Sequence, residues 1–241
     1  MPSITLHGRP IEYRLLRTRR NRFVRLTVTL GKGLRVSAPS HFPAREIPRI
    51  IQERSVWILD KLDEYARLEL QTPRQHYDSG ADVVILGRTY RLRLSASSNG
   101  SGTIQVDGDE VDVSVPTALS GADREQYLKN ALLAWYRVQA QRILPPRVEY
   151  YAQQMRVKPN RVTIRRQRSR WGSCSAKGNL NLNLFLITLP VKTLDYVLVH
   201  ELAHLLELNH SPRFWRIVER WCPDRKKHQA FLRENIHYLE M

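Results

Sequence analysis

His200-Glu201-Leu202-Ala203-His204 sets two imidazoles four residues apart, with a carboxylate beside the first. On a helix that spacing is one turn, so both rings project from one face. Two imidazoles so placed can grip one metal ion, and Glu201 lies where it can take a proton from an attacking water. His210, six residues further on, offers a third ligand. Three histidines leave one position open, as a catalytic metal needs and a closed structural site lacks. Three imidazoles and a water suit zinc.

The surroundings favour a metal over chance. Asp195 to Leu208 reads DYVLVHELAHLLEL, apolar almost all round, which marks a buried helix. Two buried histidines and a buried glutamate are costly unless paired or metal-bound. His210 is about 600° beyond His204 on a continuous helix, so the helix must end between them. Asn209 can take the left-handed conformation that closes a helix, and Ser211-Pro212 reads as an N-cap followed by proline at the first helical position. His210 is thus expected in a corner between two helices. Cys174, upstream, competes for the third ligand position and otherwise packs; Cys222 reads as structural. Tyr196, Asn183, His228 and Arg170 are candidate donors to a tetrahedral oxyanion, and spacing alone selects none. The strand over Asn179 to Leu189 is either an edge that pairs an extended peptide or an ordinary buried strand, which its leucines favour.

Other elements must position this helix. Ile11 to Leu16, Phe23 to Leu30 and Leu34 to Ala38 alternate as strands do. Ala44 to Leu70 has helical spacing, with Trp57 read as core. Val83 to Leu86, Tyr90 to Leu94, Thr103 to Val106 and Val111 to Val115 form a second strand group, expected to be antiparallel. Gln71 to Gly80 reads as a connector. Ala122 to Leu144 is an amphipathic helix expected to break at Pro145-Pro146, with a further helix to Met155. Arg161 to Arg166 and Leu180 to Ile187 are strand candidates. The metal helix starts around Val191 to Thr193, another spans Ser211 to Trp221, and Asp224 caps a last one to about Leu239. No internal repeat is apparent.

The chain of 241 residues holds one large domain or two small ones. No apolar run reaches membrane-spanning length, and the first residues lack the apolar core of a signal peptide. Two cysteines give no disulfide framework, so a reducing cytoplasm is the expected home. The net charge of +16, carried by arginine clusters, reads either as a surface that attracts polyanions, nucleic acid above all, or as a solvated basic face.

The string RSRWGSCSAKGNLNLNLFLITLPVKTLDYVLVHELAHLLELNHSPRFW resembles the YgjP-like metallopeptidases, relatives of SprT-like and Wss1-like metalloproteases. The matching residues are Arg170 to Cys174, Leu182-Asn183, Asp195 to Val197, His200 to His204, Asn209 to Ser211, Phe214-Trp215 and Pro223-Asp224. The front agrees more weakly, at Ala38-Pro39, Trp57-Ile58 and Leu86 to Tyr90. The resemblance implies zinc held by His200, His204 and His210, with Glu201 as catalytic base. It also implies an α+β fold: a zincin-like metallopeptidase core behind an N-terminal antiparallel β-rich region. The division expected is residues 1–120, with one helix over 44–70, and 121–241, helical with a short sheet. Relatives of the SprT and Wss1 types act on proteins crosslinked to DNA, which would give the basic charge a purpose. The expected activity is zinc-dependent hydrolysis of a peptide or protein substrate, with DNA as a candidate partner. The alternatives are a metal-dependent nuclease and a basic nucleic-acid-binding module with a non-catalytic zinc.

Overall fold

The computed structural model describes residues 1–29, 31–71, 77–97, 103–167 and 170–235. Leu30, the middle of the expected connector and the expected end of the last helix lie outside them. The chain forms two compact units, Met1–Arg74 and Gln75–Met241, so the division falls ahead of the second strand group rather than after it.

The first unit carries β1 (Ser3–Leu6), β2 (Arg9–Thr18), β3 (Arg25–Thr29) and β4 (Gly33–Pro39) in the order β1-β2-β4-β3. β2 and β4 run parallel; the other pairs are antiparallel. Period-two alternation turns Ile11, Tyr13, Val28, Leu34 and Val36 inward. There they meet Ile47 and Ile51 of α1 (Ile47–Glu53) and Ile58 of α2 (Ser55–Gln71). The single helix expected over 44–70 is therefore a short 3₁₀ turn and two helices, bent at Arg54. Ser55 at the bend spends its hydroxyl on His7 Nε2, 3.0 Å away, rather than on the helix. Trp57 is 41% exposed and not core.

The second unit opens with β5 (Asp82–Ile85), β6 (Arg88–Ser97), β7 (Ile104–Asp107) and β8 (Glu110–Pro116). Their order, β5-β6-β8-β7, and their one parallel pair, β6/β8, repeat the first sheet strand for strand. An internal repeat is thus present where none was expected. Both sheets are mixed rather than wholly antiparallel. Each first hairpin turns through two residues of positive φ, His7-Gly8 and Leu86-Gly87, the primed turn that matches strand twist. The shared sequence signal is thin: Leu6-His7-Gly8-Arg9 against Ile85-Leu86-Gly87-Arg88, and Val36-Ser37-Ala38-Pro39 against Val113-Ser114-Val115-Pro116.

From the second sheet the chain enters α3 (Gly121–Met155), which runs unbroken through Pro145 and Pro146. Tertiary burial outweighs the missing amide donors: Leu144 and Val148, on either side, are sealed in the core. Buried residues recur every fourth position from Leu128 to Ala152. A spacing of four advances about 40° per step, so the apolar stripe winds about 240° around the helix. Its first turns pack on β7 and β8; its later turns meet the elements that follow it in the chain. Those are β9 (Arg161–Arg165), β10 (Gly172–Cys174) and β11 (Asn179–Asn183), in the order β10-β11-β9. A 3₁₀ turn (Leu184–Thr188) follows, then α4 (Val191–Ala203), α5 (Pro212–Trp221) and α6 (Arg225–Glu234). Among the described residues no helix is long and apolar enough to cross a membrane.

Candidate metal centre

α4 is a core helix: every residue from Thr193 to Val199 and from Glu201 to Ala203 is buried. Two devices fix it. The Arg147 guanidinium on α3 grips the Asp195 carboxylate with two bonds of 2.8 and 2.7 Å. At the helix start, the Leu86 amide donates to the Ile187 carbonyl, and the Gly87 turn lies so close to Pro190 that a Cβ would stand 2.8 Å from its Cα. The second sheet thus braces the site helix through a hairpin tip.

The helix ends at His204, earlier than Asn209. His204 keeps right-handed geometry as the cap, and the next amides fold back on Leu202 and Ala203. Asn209 is not among the residues of positive φ. Ser211 caps α5 by accepting from the Phe214 amide, with Pro212 in the first turn, as expected. His210 therefore sits in the corner between α4 and α5.

The three rings converge. One ring nitrogen each from His200, His204 and His210 lies within 4.8 Å of the other two. Nε2 of His200 and Nε2 of His210 stand 3.1 Å apart. Tetrahedral zinc with nitrogen bonds of about 2.05 Å places its ligands about 3.3 Å from one another, so the spacing fits. Nδ1 of His204 lies 3.1 Å from the Glu207 carbonyl, which as acceptor puts the ring proton on Nδ1 and leaves Nε2 bare. Burial, then the charges of His204 and His210, push the His200 imidazole down to about 3. Burial also lowers His204. Neutral imidazoles are the form that binds metal. Cys174 is not in this group among the described residues; it lies on β10 with its thiol raised by burial and then by Glu201.

Aromatic rings shape the far side of the cluster. Phe214 stacks on His204 at 4.5 Å, and Trp215 lies 5.4 Å from His210. The Arg225 guanidinium covers Trp215 at 4.3 Å and is held by Glu219.

Glu201 is 6% exposed. Burial pushes its carboxyl up to about 7, against the opposing pull of the Arg170 guanidinium. Gly172 lies against it: a Cβ there would stand 2.7 Å from both Cγ and Oε1 of Glu201. Asn183 holds Gly172 in place. Its Nδ2 donates to the Gln167 and Arg170 carbonyls at 2.7 and 2.8 Å, its Oδ1 accepts from the Phe185 amide, and its amide donates to the Trp171 carbonyl. Both side-chain donors are engaged, so Asn183 is a clamp and not an oxyanion donor. Tyr196 and His228 stack at 5.6 Å and Thr193 Oγ1 lies 3.1 Å from His228 Nδ1, which leaves the Tyr196 hydroxyl and His228 Nε2 as candidate donors. Arg170, exposed beside Glu201, is a third candidate.

The strand over Asn179 to Leu189 is not an edge. β11 has β9 on one side and β10 on the other, then gives way to the 3₁₀ turn. The edge beside Glu201 is β10, a strand the sequence reading missed. The Trp171 carbonyl and the Ser175 amide pair with β11, so alternation turns the amides and carbonyls of Gly172 and Cys174 away from it. Gly172 and the Asn183 clamp carry no spacing signal; only the RWGSC and LN strings pointed near them.

Comparison with known proteins gives the class first: this is a metallopeptidase chain. The family model for the YgjP-like metallopeptidase domain matches residues 22–235, and the chain belongs to that family. Among solved structures, the metallopeptidase zymogen abylysin of Pyrococcus abyssi is 27% identical. That match covers 37% of this chain and 91% of the other, with a TM-score of 0.35. No curated protein matches.

Proposed function

We infer that the chain is a zinc-dependent peptidase in which His200, His204 and His210 hold the ion and Glu201 is the general base. The observation that carries this reading is the convergence of three imidazoles beside a buried glutamate. Zinc bound there supplies Lewis acidity, polarising the scissile carbonyl and acidifying water. Glu201, its carboxyl pushed up to about 7, accepts the proton and passes it to the leaving amine. Arg170, Tyr196 or His228 would supply the donor to the oxyanion. The outward amides and carbonyls of Gly172 and Cys174 pair with an extended substrate. Two free cysteines agree with a reducing cytoplasm, and the net charge of +16 agrees with targets held on DNA.

Metal analysis and hydrolysis of a disordered protein such as casein test the assignment together. Wild type is expected to carry about one zinc per chain, and His210→Ala much less. Glu201→Gln is expected to keep the zinc and lose hydrolysis. A nucleic-acid cleavage that survives Glu201→Gln points instead to a nuclease. Full function in that variant points to a binding module with a non-catalytic zinc.

A further inference from the structure

The first sheet has one face on its helices and one face bare. Residues 1–45 contain ten arginines and lysines and a single acid, Glu12. Strand register says where the charge falls. Arg14 on β2 is the direct partner of Arg35 on β4, and Arg35 is the partner of Thr27 on β3. The next row is Leu16, Ser37 and Arg25. These residues alternate with the inward Ile11, Tyr13, Val28, Leu34 and Val36, so they share the outer face.

The loop from β2 to β3 extends this face. It carries Arg19, Arg20, Arg22 and Phe23 and is pinned at Asn21, whose amide donates to the Thr18 carbonyl and whose Nδ2 donates to the Ala38 carbonyl. Val24 and Leu26 pack on the core, so Arg25 between them projects the other way, and Phe23 lies in the bend just ahead of that strand. Phe23 is 81% exposed. None of Arg14, Arg19, Arg20, Arg22, Arg25 and Arg35 has a carboxylate within ion-pair distance among the described residues. Like charges in direct register on neighbouring strands destabilise a sheet. Arg14 opposite Arg35 is therefore a cost in the chain alone, which a bound polyanion relieves.

We propose that this face, built from Arg14, Arg35, Arg25 and the Arg19–Phe23 loop, binds single-stranded nucleic acid. The arginines track the phosphate backbone, and Phe23 stacks on an unpaired base. A duplex offers the phosphates but keeps its bases stacked on one another, so it leaves Phe23 without a partner. The face takes up the nucleic-acid-directed part of the reading above and stands apart from the peptidase part. Binding needs neither zinc nor Glu201.

Fluorescence anisotropy on the full chain tests it, with labelled oligothymidylate and oligouridylate of about 16 nucleotides and a duplex of the same length. Arg14→Gln/Arg35→Gln is expected to weaken single-strand binding about tenfold and to flatten the slope of log affinity against log salt by about 1.4, for two lost phosphate contacts. Phe23→Ala is expected to weaken it about fivefold or more without changing that slope. The DNA and RNA arms show which strand is preferred. Arg213→Gln/Arg216→Gln on α5 is the control and should bind as wild type does. The proposal falls if the double variant binds like wild type, or if the α5 pair carries the loss. It falls equally if duplex binds as tightly as single strands and Phe23→Ala has no effect. Casein hydrolysis and zinc content should be unchanged in all three variants, so failure here and failure of the peptidase reading are separable. Thermal unfolding of Arg14→Gln/Arg35→Gln at or above the wild-type midpoint shows that lost binding is not lost folding.

Discussion

Gly172 is the smallest residue near the centre and sets the position of the buried carboxyl there. Its backbone lies against Glu201, and its φ is not one that only glycine adopts, so alanine fits the backbone but not the space. Gly172→Ala should leave zinc content unchanged and shift Glu201 by a fraction of an ångström or more. Hydrolysis is expected to fall about a hundredfold, the scale on which small misplacements act. Metal analysis beside kcat separates this from a folding defect. The cysteines make a second prediction. Burial, then Asp195, push the Cys222 thiol up to about 11, and Cys174 is also raised. A raised thiol pKa means less thiolate, so at pH 8 only about one in a thousand Cys222 side chains is reactive. Mass spectrometry after iodoacetamide at that pH should find Cys222 unmodified in the folded chain. At this scale the sequence shows what spacing encodes: two histidines on one helical turn, a carboxylate between them, and a third histidine beyond a cap. It does not show Asn183 as a clamp or Gly172 as a wall, because each role exists only through contacts to residues distant in the chain.

Elements were readable where local signals agree. The Ser211-Pro212 start of α5 is one such case; its capping hydroxyl sits where the sequence places it. The misreadings occur where packing overrides a local rule. Pro145-Pro146 would end an isolated helix, yet α3 continues because Leu144 and Val148 fill the core on both sides. β10, three residues long and holding a glycine, offers too little alternation to be seen in sequence. The most consequential link between elements is the Arg147–Asp195 pair joining α3 to α4. Asp195→Ala leaves the Arg147 charge without its partner. Removing one member of a fully buried pair costs about 3–5 kcal/mol; Arg147 is a third exposed, so about 1–3 kcal/mol is expected here. Denaturant unfolding would read the loss. A change below about 0.5 kcal/mol would show that α4 is held by packing alone.

At the scale of the whole molecule, each unit has a core of its own, centred on Val36 and Ile51 in one and on Phe185, Leu198 and Phe214 in the other. A fragment of residues 75–241 is therefore expected to fold cooperatively and bind zinc. Calorimetry and metal analysis on that fragment check this, and an unfolded or metal-free fragment would refute it. The boundary after Arg74 has little local signal because both sheets look alike in sequence: alternating strands and small turns.

The two sheets share one strand order, one parallel pair and one kind of hairpin turn, yet their turns stand under unequal steric constraint. The test position is the second turn residue. Gly8 and Gly87 both have positive φ, so alanine strains either backbone by about 1 kcal/mol. Around Gly8 there is open space, whereas at Gly87 the added carbon runs into the Pro190 backbone at the head of the metal helix. The second sheet's turn is a fixed strut against α4, with no room for a side chain at Gly87. The first sheet's turn stands in open space at Gly8, and the outer face of that sheet carries Arg14, Arg25 and Arg35.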